Sequence, residues 1–208
     1  MNVANVDLRE VRTALAGLYA KALENRDPVI KGTLTYTGLL LAATDSKTRN
    51  PNKNDIRWHF SKQLTTLLVY GDFSRLPQEA GKSPVLGETK KFKGVNFMPV
   101  VPKSALLMCN LSIRIERRER PGLLIHDGDI DNRLKTIFDA LKMPQNDNEV
   151  VSPDGVLPNK CVCLLEDDSM IAALNLVTVA SLESLPRNHV RLTIDVEVKA
   201  HDMVFYPD

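Results

Sequence analysis

Asp127-Gly128-Asp129-Ile130-Asp131-Asn132-Arg133-Leu134-Lys135-Thr136-Ile137-Phe138-Asp139-Ala140-Leu141 begins as a cap and continues as a helix. Leu134, Ile137, Phe138 and Leu141 recur at i, i+3, i+4 and i+7, so a helix over 130–141 turns one apolar stripe toward a core. Asp131, Lys135 and Asp139 fall at i, i+4 and i+8, which places a carboxylate, an ammonium and a second carboxylate together on the polar face. Two accounts of those charges stand side by side. Asp129 is an ordinary N-cap and Asp131 suits a first helical turn, so the acids can serve the helix alone. Equally, they are the residue types that hold a hard cation.

Upstream of the helix, 104–118 alternates Leu111, Ile113 and Ile115 against Ser112, Arg114 and Glu116, the period-two pattern of a strand with one solvated face. Farther back, 29–41 reads as one β-branched strand. The polar stretch 42–54 reads as a basic loop feeding a helix that carries Ile56, Phe60, Leu64, Leu67 and Leu68 on one side. Trp58 and Phe60 on that helix are expected in the core. Residues 71–103, rich in Gly, Pro and Lys, read as a long excursion with a short strand near 95–98. Downstream, 143–160 reads as a loop, and two strands over 170–180 and 189–200 close the chain. Ahead of everything, Leu8, Val11, Leu15, Leu18 and Ala22 mark an amphipathic helix within 1–28, expected to dock on the body or on a partner subunit. The expected fold is therefore α+β: a small mixed sheet with helices packed on it, spanning 29–208, with an added N-terminal helix over 1–28 and insertions at about 71–103 and 143–165.

Composition narrows the classes. The 208 residues include 27 Lys+Arg and 26 Asp+Glu, a formal net charge of +1, with 43% hydrophobic residues. That balance excludes a disordered chain, and the length lets one core bury roughly 70% of the unfolded surface. No apolar run approaches the ~20 residues a bilayer span needs, and the first residues lack a secretory pattern, so a cytoplasmic location is expected. Cys109, Cys161 and Cys163 fit neither a redox pair nor a zinc quartet and are expected as buried, reduced thiols. A nearly neutral chain that binds nucleic acid must gather its cations locally.

A second acidic group, Glu166-Asp167-Asp168, is placed where a loop enters a strand. Alone it is solvated turn chemistry. Together with the helix it matters more, because magnesium takes a few carboxylates and completes its octahedron with phosphate and water. At this point Asp129-Ile130-Asp131-Asn132, Lys135 four residues after the second Asp, Phe138-Asp139-Ala140-Leu141, and Asp167-Asp168 before a strand resemble the RusA family of Holliday-junction resolvases, whose pattern is D-x-D-N-x-x-x-K, F-D-A-L and D-D. The resemblance implies a small α+β homodimer that cuts branched DNA with magnesium, manganese being its substitute. It further implies that Asp129, Asp131 and Asp168 are metal ligands, that Lys135 and Asp131 are catalytic, and that Asp139 and Asp167 stand behind them. The 143–165 segment departs from the pattern, since the family places its D-D sooner after the helix, and the near-neutral charge departs from a typically basic family.

Three basic groups are available for phosphate: Lys47, Arg49, Lys53, Arg57 and Lys62; Lys82, Lys90, Lys91 and Lys93; and Arg114, Arg117, Arg118 and Arg120. The first and third flank the acidic residues in the family's element order. Lys47, Arg49, Lys53, Arg57, Arg114, Arg117 and Arg118 are therefore the expected DNA contacts. Two other readings remain: a catalytically silent nucleic-acid- or protein-binding module of the same fold, and a metal-dependent phosphoesterase on a small nucleotide, which a tight pocket rather than a wide groove would support.

Overall fold

The computed structural model describes residues 30–42, 46–75, 89–103, 107–118, 130–152 and 155–200. The expected helix within 1–28, His126, Asp127, Asp129, Arg120 and residues 76–88 of the excursion, Lys82 among them, lie outside the described residues. The β-branched run forms β1 (Ile30–Leu39), and the long helix α1 (Ser46–Tyr70) follows. A hairpin comes next, β2 (Lys90–Phe92) and β3 (Val95–Val101), and then the alternating strand β4 (Leu107–Arg117). The chain continues through α2 (Ile130–Leu141), β5 (Lys160–Leu165), β6 (Ile171–Ala180) and β7 (His189–Ala200).

The strands form two sheets, one in the order β1-β7-β4-β6 and one in the order β2-β3-β5. In the larger sheet β4 is antiparallel to β7 and parallel to β6, so the sheet is mixed. The register sets Leu111 beside Val196, Ile113 beside Ile194 and Ile115 beside Leu192. All six side chains are buried, so one face of β4 and β7 is core and the alternate face is solvated. Ile56, Phe60, Leu64 and Leu68 of α1 and Ile137, Ala140 and Leu141 of α2 close that core from the helical side. The structure is α+β, helices on a mixed sheet, as expected.

Side-chain bonds fix α2 at its start. Arg133, buried, donates to the Leu40 carbonyl at 2.8 Å and to Asn188 Oδ1 at 3.1 Å, while the Thr136 hydroxyl donates to the Leu41 carbonyl at 3.1 Å. The second sheet has a smaller core of Val95, Phe97, Met143, Val150, Cys161 and Cys163, against which Trp58 packs. All three cysteines are free and buried.

Three readings change. The stretch 46–54 is the first part of α1 rather than loop, with Pro51 inside the helix. Its asparagines serve the fold: the Asn52 side chain accepts from Leu41 N at 2.9 Å and donates to the Leu39 carbonyl at 2.7 Å. The excursion 71–103 contains β2 and the seven residues of β3, longer than expected. Finally β5, absent from the sequence reading, runs ahead of the acidic trio, so Asp167 and Asp168 leave one strand through a 3-10 turn before entering the next.

Candidate nucleic-acid interface

The amino-terminal part of α1, the polar face of α2 and the segment 143–151 border an open cavity of about 650 Å³. Lys47, Arg49, Lys53, Lys135 and Lys142 line it, with Asp139 and Glu149 as the carboxylates among them. Helical spacing explains how α2 contributes: Lys135, Asp139 and Lys142 lie four and three residues apart on one face.

Asp139 is the hub. It is buried, and Arg49 Nε at 3.7 Å and Lys53 Nζ at 4.0 Å approach Oδ2, while Lys142 Nζ lies 3.4 Å from Oδ1. Lys142 Nζ also donates to Asp168 Oδ2 at 2.9 Å, so one ammonium bridges Asp139 and Asp168. Burial pulls the Lys142 ammonium down, but the bond to Asp168 and the charges of Asp139 and Asp168 outweigh it and hold its pKa above the ordinary lysine value. For Lys53 the balance runs the other way. Desolvation by burial dominates and holds its pKa below the ordinary value, although Glu149 Oε2 lies 3.2 Å away and Asp139 adds its charge.

The expected site residues divide. Lys47, Arg49 and Lys53 reach the cavity together with Lys135 and Asp139. Lys135 is exposed there with no hydrogen bond or ion pair among the described residues. Arg57 is corrected from a surface contact to a structural residue: it is 1% exposed and donates to Asn54 Oδ1 at 2.8 Å and to the Asp139 carbonyl. Arg117 is corrected likewise, being an odd position of β4 on the buried face, where its Nε and Nη1 lack hydrogen-bond partners. Arg114 takes an even position, on the sheet face turned away from the helices, and pairs with Glu116 at 3.0 Å. Arg118 is exposed just beyond the end of β4.

Asp131 opens α2, exposed, whereas Asp168 is tied to Lys142, just past the other end of the helix. Among the described residues no three His, Cys, Asp or Glu side chains gather into a metal-holding group. Asp129, the remaining carboxylate of the motif, lies outside the described residues. Lys142, Gln145, Asn148 and Glu149 escaped the sequence reading. For Lys142 a signal existed, its i, i+3 spacing from Asp139; the others sit in a segment read as an insertion.

Glu166 and Asp167 hold the local chain together. Asp167 Oδ1 accepts from Ser169 N at 3.0 Å, capping the 3-10 turn, and Ser169 holds its pKa below the ordinary value, first through its side chain and then through this backbone bond. Glu166 accepts from Lys103 N at 2.9 Å and from Lys90 Nζ at 3.1 Å. Burial raises the Glu166 pKa, but the Lys103 and Lys90 bonds with their charges overcome it and hold it below the ordinary glutamate value. A carboxylate with a depressed folded pKa stabilises fully above its unfolded value and loses that contribution as pH falls through the folded value. Urea unfolding of the wild type and Glu166→Gln is therefore expected to differ at neutral pH and to converge as pH drops below 4.5.

No family model, curated protein or solved structure matches this chain. The likeness to RusA resolvases is thus carried by the motif residues themselves. Among the described residues no helix is long and apolar enough to cross a membrane.

Proposed function

We propose that this chain is an endonuclease that cuts branched or otherwise structured DNA, requires magnesium, or manganese in its place, and works as a cytoplasmic homodimer. One observation carries the reading: five Lys and Arg side chains converge on a single cavity along the motif helix, against two carboxylates. In a chain of net charge +1, that gathering is the local cation excess a phosphate backbone needs. Lys47 and Arg49 stand at the amino-terminal end of α1 to grip the strand. Lys135, exposed and unengaged, is placed to donate to a phosphate oxygen as charge builds there. The metal requirement rests on the motif resemblance alone, because the described carboxylates do not assemble its ligand set.

A second reading, phosphate-ester hydrolysis on a small nucleotide, draws on the cavity volume, which is large enough for one nucleotide. Nicking of four-way junction, flap, duplex and single-stranded DNA, with and without magnesium, separates the alternatives. Magnesium-dependent cutting of the branched substrates supports the proposal, and tight binding with no cutting of any substrate replaces it with a binding module. Lys135→Ala is expected to lower turnover about 100-fold, the size of losing one donor to a developing anion. One cation among several contributes little to ground-state affinity, so binding should change by no more than about threefold. Single-turnover rates beside equilibrium binding measure the split; equal losses in both would make Lys135 a simple phosphate anchor.

A further inference from the structure

The walls of the cavity differ in chemistry. The helical side presents cations, whereas the segment 143–151 presents the amides of Gln145, Asn146 and Asn148. Asn146 is spent internally, since its Oδ1 accepts from Asn148 N at 3.0 Å and its Nδ2 donates to Glu149 Oε1 at 3.3 Å. Gln145 uses only Nε2, toward the Met143 carbonyl at 3.4 Å, and leaves Oε1 open. The Asn148 side chain is exposed and makes no hydrogen bond among the described residues. Two amide groups thus face the cavity across from its cations.

That wall is held in place before any ligand arrives. Asn50 Nδ2 donates to the Asn148 carbonyl at 3.0 Å, Asn54 Nδ2 to the Glu149 carbonyl at 2.7 Å, and Lys93 Nζ to the Val150 carbonyl at 3.0 Å. Lys93 N donates to Asp147 Oδ1 at 2.8 Å. A backbone pinned in advance leaves only the side-chain rotamers to order on binding, which lowers the entropic cost of reading a ligand. Size points the same way. A cavity of 650 Å³ falls within the roughly 300–1,000 Å³ of sites that hold whole small molecules, far beyond the volume of a phosphate group.

We infer that the cavity receives one unpaired nucleotide of the DNA strand, its phosphate against the cations of α1 and α2 and its base edge against Gln145 and Asn148. This rests on the phosphate-binding role proposed above and adds its substrate class. A base paired in a duplex must break its pair and unstack to enter such a pocket, whereas an unpaired base enters without that cost. An amide pairs in bidentate fashion with adenine N6 and N7, so adenine is the base best matched.

Fluorescence anisotropy on the full chain in EDTA, with a plain duplex, the same duplex carrying one bulged adenine, and free dAMP as competitor, tests the inference. The bulged duplex is expected to bind about tenfold tighter than the plain one. Both amide residues are exposed, so Gln145→Ala/Asn148→Ala should fold normally. That variant should lose the preference while keeping plain-duplex affinity and the slope of log K against log salt, because no phosphate contact is removed. Equal affinity for both duplexes overturns the inference, and so does a preference that survives in the double variant. Competition by dAMP as strong as by the bulged duplex overturns the strand as the source of the nucleotide. Failure of the nuclease reading appears elsewhere, as an absence of cutting, and leaves these binding comparisons intact.

Discussion

Asp139→Ala is expected to destabilise the fold by about 1–3 kcal/mol, the size of removing a carboxylate that largely shielded cations share while two of them keep a second partner. Arg49 and Lys142 are largely shielded from solvent and Lys53 is almost wholly so, with all three turned toward this one carboxylate. Its removal leaves the ammonium of Lys53 with Glu149 alone and the ammonium of Lys142 with Asp168 alone. The loss should be read as a lower urea midpoint at unchanged slope. Coupling identifies the cause: Lys53→Met and Asp139→Ala together should cost less than the sum of the two single losses, since each removes part of the same charge cluster. A single variant as stable as the wild type would show that the cations around Asp139 relax into solvent at no cost.

The second large effect falls on chemistry. Asp131→Asn is expected to abolish cleavage and to leave DNA binding equal or tighter. Asp131 is exposed at the first turn of α2, so the exchange disturbs little of the core. It removes one negative charge from the neighbourhood of a polyanion while taking away the ligand charge that the motif assigns to this position. Paired binding and cleavage measurements decide it, and undiminished cutting by the variant removes the proposed nuclease chemistry altogether.

What could be read from the sequence follows from how local each signal is. Leu134, Ile137, Phe138 and Leu141 announce α2 because helix period and core face coincide within one element, and β4 and β7 follow for the same reason with period two. Lys160-Cys161-Val162-Cys163-Leu164-Leu165 gave no such signal. Val162 and Leu164 join the larger core and Cys161 and Cys163 the smaller, so β5 is buried on both faces and its pattern carries no alternation. The start of α1 was hidden by Pro51 and three asparagines, residues that break local structure unless distant partners take up their side chains. Those partners, Leu39, Leu41 and Glu149, are in other elements.

The site divides in the same manner. Lys135 and Asp139 were legible as one helix face, but the burial of Asp139 comes from Arg49 and Lys53 on α1, and nothing in the spacing of α2 foretells it. Arg57 and Arg117 were misplaced because a basic residue reads as surface unless its acceptors, or its place on the covered face of a sheet, are known. Helical reach from Asp139 pointed to Lys142, whereas Gln145 and Asn148 gained meaning only once the pinned segment bordered the cavity.

The outer strand of the larger sheet has a bearing on how the molecule behaves in bulk. From Ile171 to Ala180 β6 carries no charged side chain, and Leu174 and Val177 remain well exposed along it. Among the described residues that edge pairs only with β4 and carries none of the lysines or prolines that ordinarily repel a newcomer. A neighbouring chain that met this strand during refolding would find a template on which to add one of its own. Yield on refolding is accordingly expected to fall as protein concentration rises.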